Sequence, residues 1–452
     1  MTAADLDILY KRELIDATDW TFARTLQRLG RCDDPWVGLA AALVSRAAGA
    51  GHVCLDLQTL QRQGFQGEGA EHLMLPSLDP DEWRARLMVC AAVGVPGQFR
   101  PLILDGRRLY LHRFYTYERA LARAVLDRCA AAALPTDETR LTEALAVLFP
   151  EGATDQQMAA RLAATHLFSV ISGGPGTGKT YTVAKIILLL QMLAPHRPLK
   201  ISLAAPTGKA AARMQEAVAA LLKPANGGQG KDAATVQEAQ TLHRLLGYLP
   251  SEARFRYDAG HPLSADAVIV DEASMIDLAL MHQLIQALPK QARLVLVGDK
   301  DQLASVEAGA VLGDICYGVS LAPRPEERGR PLARQIAVLE QSHRFEARSG
   351  IGDLSRAINA GDAPRVLALL ADARLPAITL RPLTDWEAMA SVLEEELMVA
   401  LGPMFDHPEP GTAFARLNRF KILTAVRKGP YGVESMNQRV EKALRRQGRI
   451  PS

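Results

Sequence analysis

The eight residues Gly173–Thr180, which read Gly-Gly-Pro-Gly-Thr-Gly-Lys-Thr, constrain this chain more than any other stretch. They fit the pattern G-x-x-x-x-G-K-[ST], between an apolar run (Leu167–Ile171) and an apolar-rich segment (Tyr181–Leu190). Strand, glycine loop and helix in that order form a phosphate-binding loop, because glycines let backbone N–H groups surround an anion at a helix N-terminus. A loop that merely turns is the alternative, which the flanking pattern disfavours. The sequence therefore predicts a nucleoside triphosphate site.

Two side chains of this loop have distinct expected roles. The Lys179 ammonium is expected to reach the β and γ phosphates, and the Thr180 hydroxyl is expected to bind Mg²⁺. The backbone of the loop surrounds the phosphates. The residues predicted to bind the nucleotide are Gly173, Gly174, Pro175, Gly176, Thr177, Gly178, Lys179 and Thr180.

Composition sets looser limits on partners and location. A chain of 452 residues is large enough for two or three domains, and its net charge of +2 means that nucleic-acid contacts must use local patches. The five cysteines form no C-x-x-C pair, which argues against a zinc or iron–sulfur site and fits a reducing compartment. The charged residues within Met1–Leu14 are wrong for a secretory signal, and no apolar run is long enough to span a membrane. We expect a cytoplasmic protein without a membrane partner.

The middle of the chain, from about residue 154 to 345, alternates short apolar runs with helical segments. Such alternation predicts a parallel sheet with helices on both faces. The predicted strands are Phe168–Ile171, Ile201–Ala205, Ala267–Val270 and Arg293–Val297.

The flanking regions are simpler. Residues 1–150 have helical spacing and no catalytic constellation, and Asp105-Gly106 within Pro101–Leu111 predicts a short hairpin. A third region begins after residue 346, where the apolar run Lys421–Val426 predicts another buried strand.

Two carboxylates follow the third predicted strand, in Ala267–Ser274. Because ligands of open α/β folds bind at the carboxyl ends of the strands, Asp271 is expected to hold Mg²⁺. Glu272 then lies where it can act as the general base for the attacking water. The alternative is a helix N-cap with an acid in its first turn. The phosphate-binding loop about 90 residues earlier favours the catalytic interpretation.

A polar segment also follows the fourth predicted strand, and it contains Asp299, Asp301 and Gln302. At the same sheet edge, the Gln302 amide can hydrogen-bond the γ phosphate or the lytic water. For Asp299 and Asp301, an acidic turn that caps a helix is an equally reasonable interpretation.

These elements resemble motifs I, II and III of superfamily 1 helicases, and more closely the RecD family, the alpha subunits of the RecBCD exodeoxyribonuclease V complex. The resemblance spans almost the whole chain. The matching stretches are GHVCL (Gly51–Leu55), ISGGPGTGKT (Ile171–Thr180), AAPTGKAAAR (Ala204–Arg213), TLHRLLG (Thr241–Gly247), VDEASMID (Val270–Asp277), VGDKDQLASVEAGA (Val297–Ala310) and SHRF (Ser342–Phe345).

The resemblance implies further site residues around single-stranded DNA. Thr207 and Lys209 stand in the motif that grips DNA phosphates. Thr241 and His243 stand in the next DNA-contacting motif, although this stretch alone would pass as an ordinary amphipathic helix.

The resemblance also extends the nucleotide site, with ATP and Mg²⁺ as its ligands. Gln156 stands where these helicases read the adenine edge with a glutamine amide, and Gln157 is its rival. Arg344 resembles the arginine that stabilises γ-phosphate charge. Its neighbour His343 replaces a tyrosine that often stacks on adenine. The implied catalytic set is Lys179, Glu272, Gln302 and Arg344.

The resemblance implies a fold in three parts. Residues 1–150 are expected to form a mainly helical domain that docks on partner subunits. Residues 151–345 are expected to form the first RecA-like α/β domain, and residues 346–452 a linker with the start of a second, incomplete RecA-like domain. The implied partners are RecB-like and RecC-like subunits, which supply the nuclease, and single-stranded DNA at the ends of duplexes.

Two functions are open at this point. The resemblance implies an ATP-dependent helicase that moves 5′→3′ on single-stranded DNA in double-strand break repair and recombination. The alternative is a regulatory subunit of the same complex that binds ATP without translocating. The family continues past the position that matches Ser452, so we expect either a fragment or a chain that has lost motor function.

Overall fold

The computed structural model describes residues 6–63, 65–66, 72–73, 79–149, 153–194, 197–222, 236–303, 305–317, 331–340, 350–372, 374–375, 377–381, 386–405, 409–417 and 419–450. The chain divides into two compact units, Met1–Glu346 and Ala347–Ser452. Among the described residues, no helix is long and apolar enough to cross a membrane.

The first unit begins with helices around a small sheet. Its four strands lie in the order β1-β6-β5-β4, and β2 pairs separately with β3. The elements are α1 (Leu6–Lys11), α2 (Ala17–Gly30), α3 (Pro35–Gly49), β1 (Cys54–Asp56), α4 (Leu57–Gln63), β2 (Phe65–Gln66), β3 (His72–Leu73), α5 (Pro80–Val89), β4 (Val93–Gly94), β5 (Leu102–Asp105) and β6 (Arg108–Leu111).

Local signals in the sequence explain where these elements begin and turn. Asp16 caps α2, since its carboxylate accepts the Asp19 N–H at 2.8 Å and its own N–H is bonded in return. Asp34 caps α3, which has proline at its first position. The predicted hairpin is confirmed as β5–β6, and Gly106 turns the chain with φ of +60°. The pair belongs to a larger sheet than the sequence indicated.

The rest of the first unit is built on a six-stranded parallel sheet, with β10 and β11 forming a separate two-stranded hairpin. The elements are α6 (His112–Ala130), α7 (Glu138–Leu148), α8 (Thr154–Thr165), β7 (Phe168–Gly173), α9 (Lys179–Leu193), β8 (Ile201–Ala205), α10 (Gly208–Leu222), β9 (Gln240–Thr241), α11 (Leu242–Leu245), β10 (Tyr248–Leu249), β11 (Arg254–Phe255), β12 (Ala267–Val270), α12 (Leu278–Ala287), β13 (Arg293–Gly298), α13 (Val311–Cys316) and β14 (Ile336–Leu339), with 3₁₀ turns at Ala273–Met275 and Leu332–Gln335.

The sheet runs in the order β14-β7-β13-β12-β8-β9, and each neighbouring pair is parallel. Alternate residues of each strand enter different cores, as the two-residue period of a strand requires. In β13, for example, Leu294 and Leu296 pack into one core, while Val295 and Val297 pack into the other. Helices α6, α12 and α13 cover the first face, and α7 to α10 cover the second. The predicted parallel sheet with helices on both faces is confirmed.

All four strands predicted from the apolar runs are present, as β7, β8, β12 and β13. The prediction missed the two edge strands, β9 and β14. Helices α6 and α7 precede residue 150 in the chain yet pack against the large sheet. The boundary at residue 150 therefore stays a prediction.

Two half-buried arginines hold the amino end of the sheet. Arg293, the first residue of β13, donates from its guanidinium to the carbonyl oxygen of Ala164 at 3.2 and 3.3 Å. Arg128 of α6 donates to the carbonyl oxygens of Ala292 at 2.8 Å and Pro289 at 3.0 Å. Burial lowers the pKa of both guanidinium groups, but they remain charged donors. These bonds give donors to backbone carbonyls at this end of the sheet, and the Pro289 carbonyl also accepts the Ala292 N–H at 3.1 Å.

All the regular secondary structure that the structure describes in the second unit is helical. Its elements are α14 (Ile351–Asn359), α15 (Ala363–Leu370), α16 (Trp386–Leu401), α17 (Pro410–Leu417) and α18 (Val433–Arg446), with a 3₁₀ turn at Gly402–Met404.

The buried strand predicted over Lys421–Val426 is wrong. The segment pairs with no strand among the described residues, and Leu423 is 91% exposed. Instead, the Val433 N–H donates to the Val426 carbonyl oxygen at 3.1 Å, which ties the segment to the start of α18. An apolar run becomes a strand only where another strand accepts its hydrogen bonds. The described residues of this unit offer none.

Candidate active site

The phosphate-binding loop joins β7 to α9, as the sequence predicts. Gly176 and Gly178 both have φ of +81°, a conformation that side chains with a Cβ rarely adopt. A Cβ on Gly174 would have no heavy atom within 4 Å, so this part of the loop faces open space. The Thr177 hydroxyl donates to the Gly174 carbonyl oxygen at 2.9 Å and closes the loop on itself. The loop is a preformed cradle for an anion at the N-terminus of α9.

Lys179 is the first residue of α9, and its ammonium lies across the mouth of the loop. It donates to the carbonyl oxygens of Gly173 at 2.5 Å and Gly174 at 3.1 Å. These bonds hold the positive charge of Lys179 at the phosphate-binding loop. The backbone N–H groups of the loop would attract an anion even without this charge. This position is consistent with the predicted contact to the β and γ phosphates.

Asp271 follows β12 at the carboxyl edge of the sheet and is 8% exposed. Burial raises the pKa of its carboxyl group, and the hydrogen bond that it accepts from the Glu272 N–H at 2.8 Å opposes this rise. The charge of Glu272 raises the pKa further, whereas that of Lys179 lowers it. A buried carboxylate with few protein donors suits a cation as its partner.

Glu272 has a left-handed backbone conformation, with φ of +52° and ψ of +39°. Only four described residues other than glycine have a positive φ. Glu272 is the one that lines a cleft together with the phosphate-binding loop, and we call this cleft the nucleotide cleft. Such a conformation costs a residue with a Cβ about 1–2 kcal/mol. It turns the chain directly after Asp271, so that consecutive carboxylates both line one cleft. Strain of this kind is often concentrated at functional sites.

Gln302 lies at the same edge, beyond β13. Its Oε1 accepts a hydrogen bond from the Ser274 hydroxyl at 3.3 Å, which joins the segments after β12 and β13. The Lys300 N–H donates to the Ser172 hydroxyl of β7 at 3.2 Å. The segment after β13 is therefore also tied to β7, the strand that precedes the phosphate-binding loop. No role for Ser274 was predicted from the sequence, although its place two residues after Glu272 was a usable signal.

One cleft of about 880 Å³ brings these elements together. Its described walls include the phosphate-binding loop, Asp271, Glu272 and Gln302. They also include Thr207 and Lys209, from the motif that is predicted to grip DNA phosphates. Thr207 caps α10 by accepting the Ala210 N–H at 3.2 Å. The structure therefore places Thr207 and Lys209 in contact with the same space as the phosphate loop.

Arg213 is a further cation in this cleft that the sequence analysis left without a role. It lies one helical turn beyond Lys209 on α10, and four-residue spacing places both on one face. Its guanidinium is exposed and has no hydrogen bond or ion pair among the described residues. The four-residue spacing of the two cations was the signal that could have found it.

Gln156 and Gln157 differ clearly in their surroundings. Gln156 on α8 is buried, and its amide donates to the Thr177 carbonyl oxygen at 3.4 Å, whereas Gln157 is half-buried. Gln156 is thus the glutamine next to the phosphate loop. Its contact with adenine stays a prediction.

The remaining predicted residues lie elsewhere. Thr241 caps α11 by accepting the Arg244 N–H at 3.3 Å, and His243 lines a separate groove. Neither Thr241 nor His243 lines the nucleotide cleft. Arg344 and His343 lie outside the described residues, so their predicted roles stay predictions.

The residues present fit a triphosphate with one Mg²⁺ ion. Within the described part of the chain, no group of three or more His, Cys, Asp or Glu side chains could hold a metal by itself. Mg²⁺ commonly binds through one or two protein oxygens together with water and substrate phosphates. Asp271 and Thr180, both in the cleft, supply a carboxylate and a hydroxyl for that kind of site.

Comparison with known proteins identifies the family. A family model described as "RecBCD enzyme subunit RecD, N-terminal domain" matches residues 11–110, and one described as "AAA domain" matches residues 156–308. The protein named RecBCD enzyme subunit RecD from Mycolicibacterium smegmatis is 38% identical over 447 residues, which cover 96% of this chain and 73% of the relative. The chain belongs to the RecD family. This confirms the family resemblance, and with it the class of nucleotide-binding, helicase-type enzyme subunits.

Other relatives are more distant. The protein named ATP-dependent RecD2 DNA helicase from Deinococcus radiodurans is 33% identical over 278 residues, which cover 62% of this chain and 30% of the relative. Among solved structures, the Pif1 helicase from Candida albicans has 15% identity and a TM-score of 0.30, with coverage of 55% of each chain.

Proposed function

We propose that this RecD-family chain is an ATP-dependent DNA helicase subunit that moves 5′→3′ on single-stranded DNA. The proposal places it with RecB-like and RecC-like subunits in a cytoplasmic nuclease that acts in double-strand break repair and recombination. The observation that supports it best is the shared cleft, in which predicted hydrolytic residues and the predicted DNA-gripping residues Thr207 and Lys209 line one space. DNA binding can therefore act directly on the nucleotide site.

The phosphate-binding side of the cleft works by position and charge. Lys179 and the N–H groups of the loop bind the β and γ phosphates, while Thr180 and Asp271 would hold Mg²⁺. The ion would neutralise charge that develops on the phosphate oxygens during hydrolysis. These groups are fixed before the nucleotide binds, so little reorganisation is needed during the reaction.

Glu272 is the proposed general base. Its strained backbone directs the residue into the cleft beside Asp271, and its side chain is partly accessible to water. A carboxylate there can accept the proton of the attacking water as the bond to the γ phosphorus forms. Gln302 orients the water or the γ phosphate, and the Ser274 hydroxyl holds its amide in place.

The coupling to DNA runs through α10. Thr207 and Lys209 stand at its N-terminus, and both reach the cleft that Gln302 and Glu272 line. A DNA phosphate held by these residues adds an anion next to the nucleotide site, and its movement alters the field at the γ phosphate. The same geometry gives DNA-stimulated hydrolysis and hydrolysis-driven movement along the strand.

The decisive test is strand separation by the chain assembled with its RecB-like and RecC-like partners, with any ATPase in those partners inactivated by substitution. Duplexes with a 5′ single-stranded tail should be unwound with ATP, and matched duplexes with a 3′ tail should not. Single-stranded DNA should also stimulate ATP hydrolysis. ATP binding without stimulation or unwinding would instead establish the non-translocating regulatory subunit.

The N-terminal part is the proposed docking region for the partner subunits. Its own core is formed by residues between Leu6 and Leu109, while α6 and α7 belong to the cores of the large sheet. Deleting residues 1–110 should therefore abolish co-purification with the RecC-like subunit and leave binding of a fluorescent ATP analogue intact. Nucleotide binding serves as the control for folding. Co-purification of the shortened chain would contradict the docking role.

A further inference from the structure

One stretch that matches the family, Gly51–Leu55, has no part in the proposed function. It runs from the end of α3 into β1, within the proposed docking region. The Gly51 carbonyl oxygen accepts the Gly309 N–H at 3.0 Å. Gly309 ends a segment that begins in the nucleotide cleft with Gln302, and we call its described residues, 302–303 and 305–309, the linking segment. The hydrogen bond therefore connects the docking region to an element of the nucleotide cleft.

The contact at Gly309 is closely packed. Ala308 and Gly309 are buried, and the Ala308 carbonyl oxygen accepts the Leu278 N–H at 3.0 Å. A Cβ on Gly309 would lie 2.8 Å from the Leu278 Cβ, closer than real Cβ atoms come to any other atom. From the N-terminal part, Ala48 and Val53 pack against the same hydrophobic core as Leu278. A displacement of the N-terminal part at this point is therefore transmitted to the linking segment, because a packed contact has no free space to absorb it.

The other end of the linking segment is anchored in the nucleotide cleft. The Gln302 N–H donates to the Asp299 carbonyl oxygen at 3.2 Å, directly after β13. The Gln302 side chain accepts the Ser274 hydroxyl at 3.3 Å and lines the cleft. The linking segment thus has one end at the proposed contact with the γ phosphate or the attacking water. Its other end lies at Gly51.

Between these ends, a hydroxyl group holds the linking segment in shape. Leu303 and Val306 are 89% and 95% exposed, so burial of apolar side chains does not fix this part of the segment. The half-buried Ser305 hydroxyl donates to the carbonyl oxygens of Glu307 at 2.8 Å and Gly309 at 3.0 Å, which share its proton. A segment with few buried contacts opens easily when such bonds are lost. Ser305 therefore decides whether the two ends move together.

We propose that the linking segment couples the N-terminal part to the nucleotide cleft, so that a partner subunit and a nucleotide each raise the affinity for the other. The inference rests on the proposed function, which assigns partner docking to the N-terminal part. The nucleotide orders the segment through Gln302, and the partner orders it through Gly51. Whichever ligand binds second has less ordering to complete, so the coupling is positive. Ser305 is the positioning residue of this device.

Ser305→Ala in the full chain tests the proposal. One titration measures the Kd of a non-hydrolysable ATP analogue with Mg²⁺, with and without the RecC-like subunit, and the subunit alone serves as the blank. A second titration measures the Kd of that subunit with and without the analogue. In the parent both affinities should rise by the same factor, within about 5- to 150-fold, because coupling between two sites is reciprocal. In Ser305→Ala both factors should fall to about 1.

Two control variants accompany this substitution. Ser305→Thr keeps the hydroxyl and should keep the parental coupling. Ser435→Ala removes a hydroxyl that donates to the Gly429 carbonyl oxygen at 2.8 Å in the second unit, and it should also keep the coupling. Thermal unfolding reports the stability of each variant. Parental coupling in Ser305→Ala, with a lower unfolding temperature, would show that the hydroxyl only stabilises the loop and would overturn the proposal.

Hydrogen exchange tests the route without a partner subunit. The analogue should slow amide exchange in residues 46–56, which include Gly51, although none of these residues lines the nucleotide cleft. The protection should be absent in Ser305→Ala and present in Ser305→Thr. Unchanged exchange of residues 46–56 in the parent would overturn the route through Gly51.

The outcomes separate this inference from the proposed function. Coupling factors of about 1 in the parent, with DNA-stimulated hydrolysis intact, would overturn the coupling and leave the helicase proposal standing. Strong coupling in a parent whose hydrolysis DNA does not stimulate would support the coupling and contradict the helicase proposal. A full chain that does not bind the RecC-like subunit would overturn both the docking role and the coupling.

Discussion

Lys179→Ala is expected to lower ATP turnover about 10²- to 10³-fold, the usual loss when one electrostatic stabiliser of a transition state is removed. The ammonium lies against the Gly173 and Gly174 carbonyl oxygens, at the mouth of the phosphate loop. Alanine at this position keeps the helix N-terminus, so the backbone cradle remains, but no side-chain charge meets the phosphates. Steady-state ATP hydrolysis with saturating single-stranded DNA measures the effect.

The matched control is Lys185→Ala on the same helix. The Lys185 ammonium lies 5.3 Å from the centre of the Tyr181 ring and does not line the nucleotide cleft. Lys185→Ala removes the same charge from α9 and touches the cleft only through the Tyr181 ring, so turnover should stay near the parental level. Equal losses in the two variants would mean that the general field of α9 matters, and the specific role of Lys179 would be refuted.

Glu272→Gln should bind nucleotide normally and hydrolyse it about 10²- to 10⁴-fold more slowly, because an amide cannot accept the proton of the attacking water. Glutamine has nearly the same size and adopts the same left-handed backbone at the same cost, so the cleft should keep its shape. The measurements are nucleotide affinity by equilibrium titration and single-turnover hydrolysis. Parental turnover in the assembled complex would show that Glu272 is not the base.

Glu272→Gly separates the loss of the general base from the relief of backbone strain. Glycine adopts φ of +52° without the steric cost of a Cβ, so this variant should be as inactive as Glu272→Gln. Both variants lose the charge that repels Asp271, but only glycine relieves the backbone strain, so the glycine variant should be more stable than the glutamine variant by about 1 kcal/mol in the free energy of unfolding. Chemical denaturation compares the two. If the two variants were equally stable, the strain at this position would have no measurable cost.

The catalytic face was predictable because its chemistry is local. The predicted site residues of the cleft lie in or next to the segments that follow apolar strands, and parallel strands bring their carboxyl ends to one edge. Asp271 and Gln302 meet there although 31 positions separate them in the sequence. Ser274 and Arg213 were not found, because their roles depend on which way a 3₁₀ turn and a helix face, and motif spacing does not report that.

The edges of the sheet and the second unit were less predictable. Strand β9 is two polar residues, Gln240 and Thr241, whose pairing with β8 follows from the sheet already present. The opposite holds for Lys421–Val426. Its composition suits a strand, but no strand lies beside it among the described residues. Propensity for a strand expresses how well a residue fits a sheet, and it does not supply the sheet.

The groove that contains His243 shows a third limit of prediction from the sequence. The sequence grouped Thr241 and His243 with Thr207 and Lys209, because all four resemble DNA-contacting motifs. The structure puts the first pair at the start of α11 and the second at the start of α10, and His243 lines a different cavity from Thr207 and Lys209. Ring clusters such as Tyr248 with Phe255 depend on a hairpin register that the alternation of residues did not reveal.

The arginines at the amino end of the sheet affect how loss-of-function alleles are interpreted. Arg128 and Arg293 hold backbone carbonyls far along the strands from the catalytic edge, and they touch no part of the nucleotide cleft. Replacing either one removes hydrogen bonds to these backbone carbonyls, which lowers the stability of the fold and so reduces how much of the chain persists in a cell rather than what each surviving molecule does. A genetic screen for sensitivity to DNA damage would score such alleles together with changes at Lys179. Only measuring the amount of polypeptide by immunoblot would distinguish an enzyme present at a low level from one that is present but inactive.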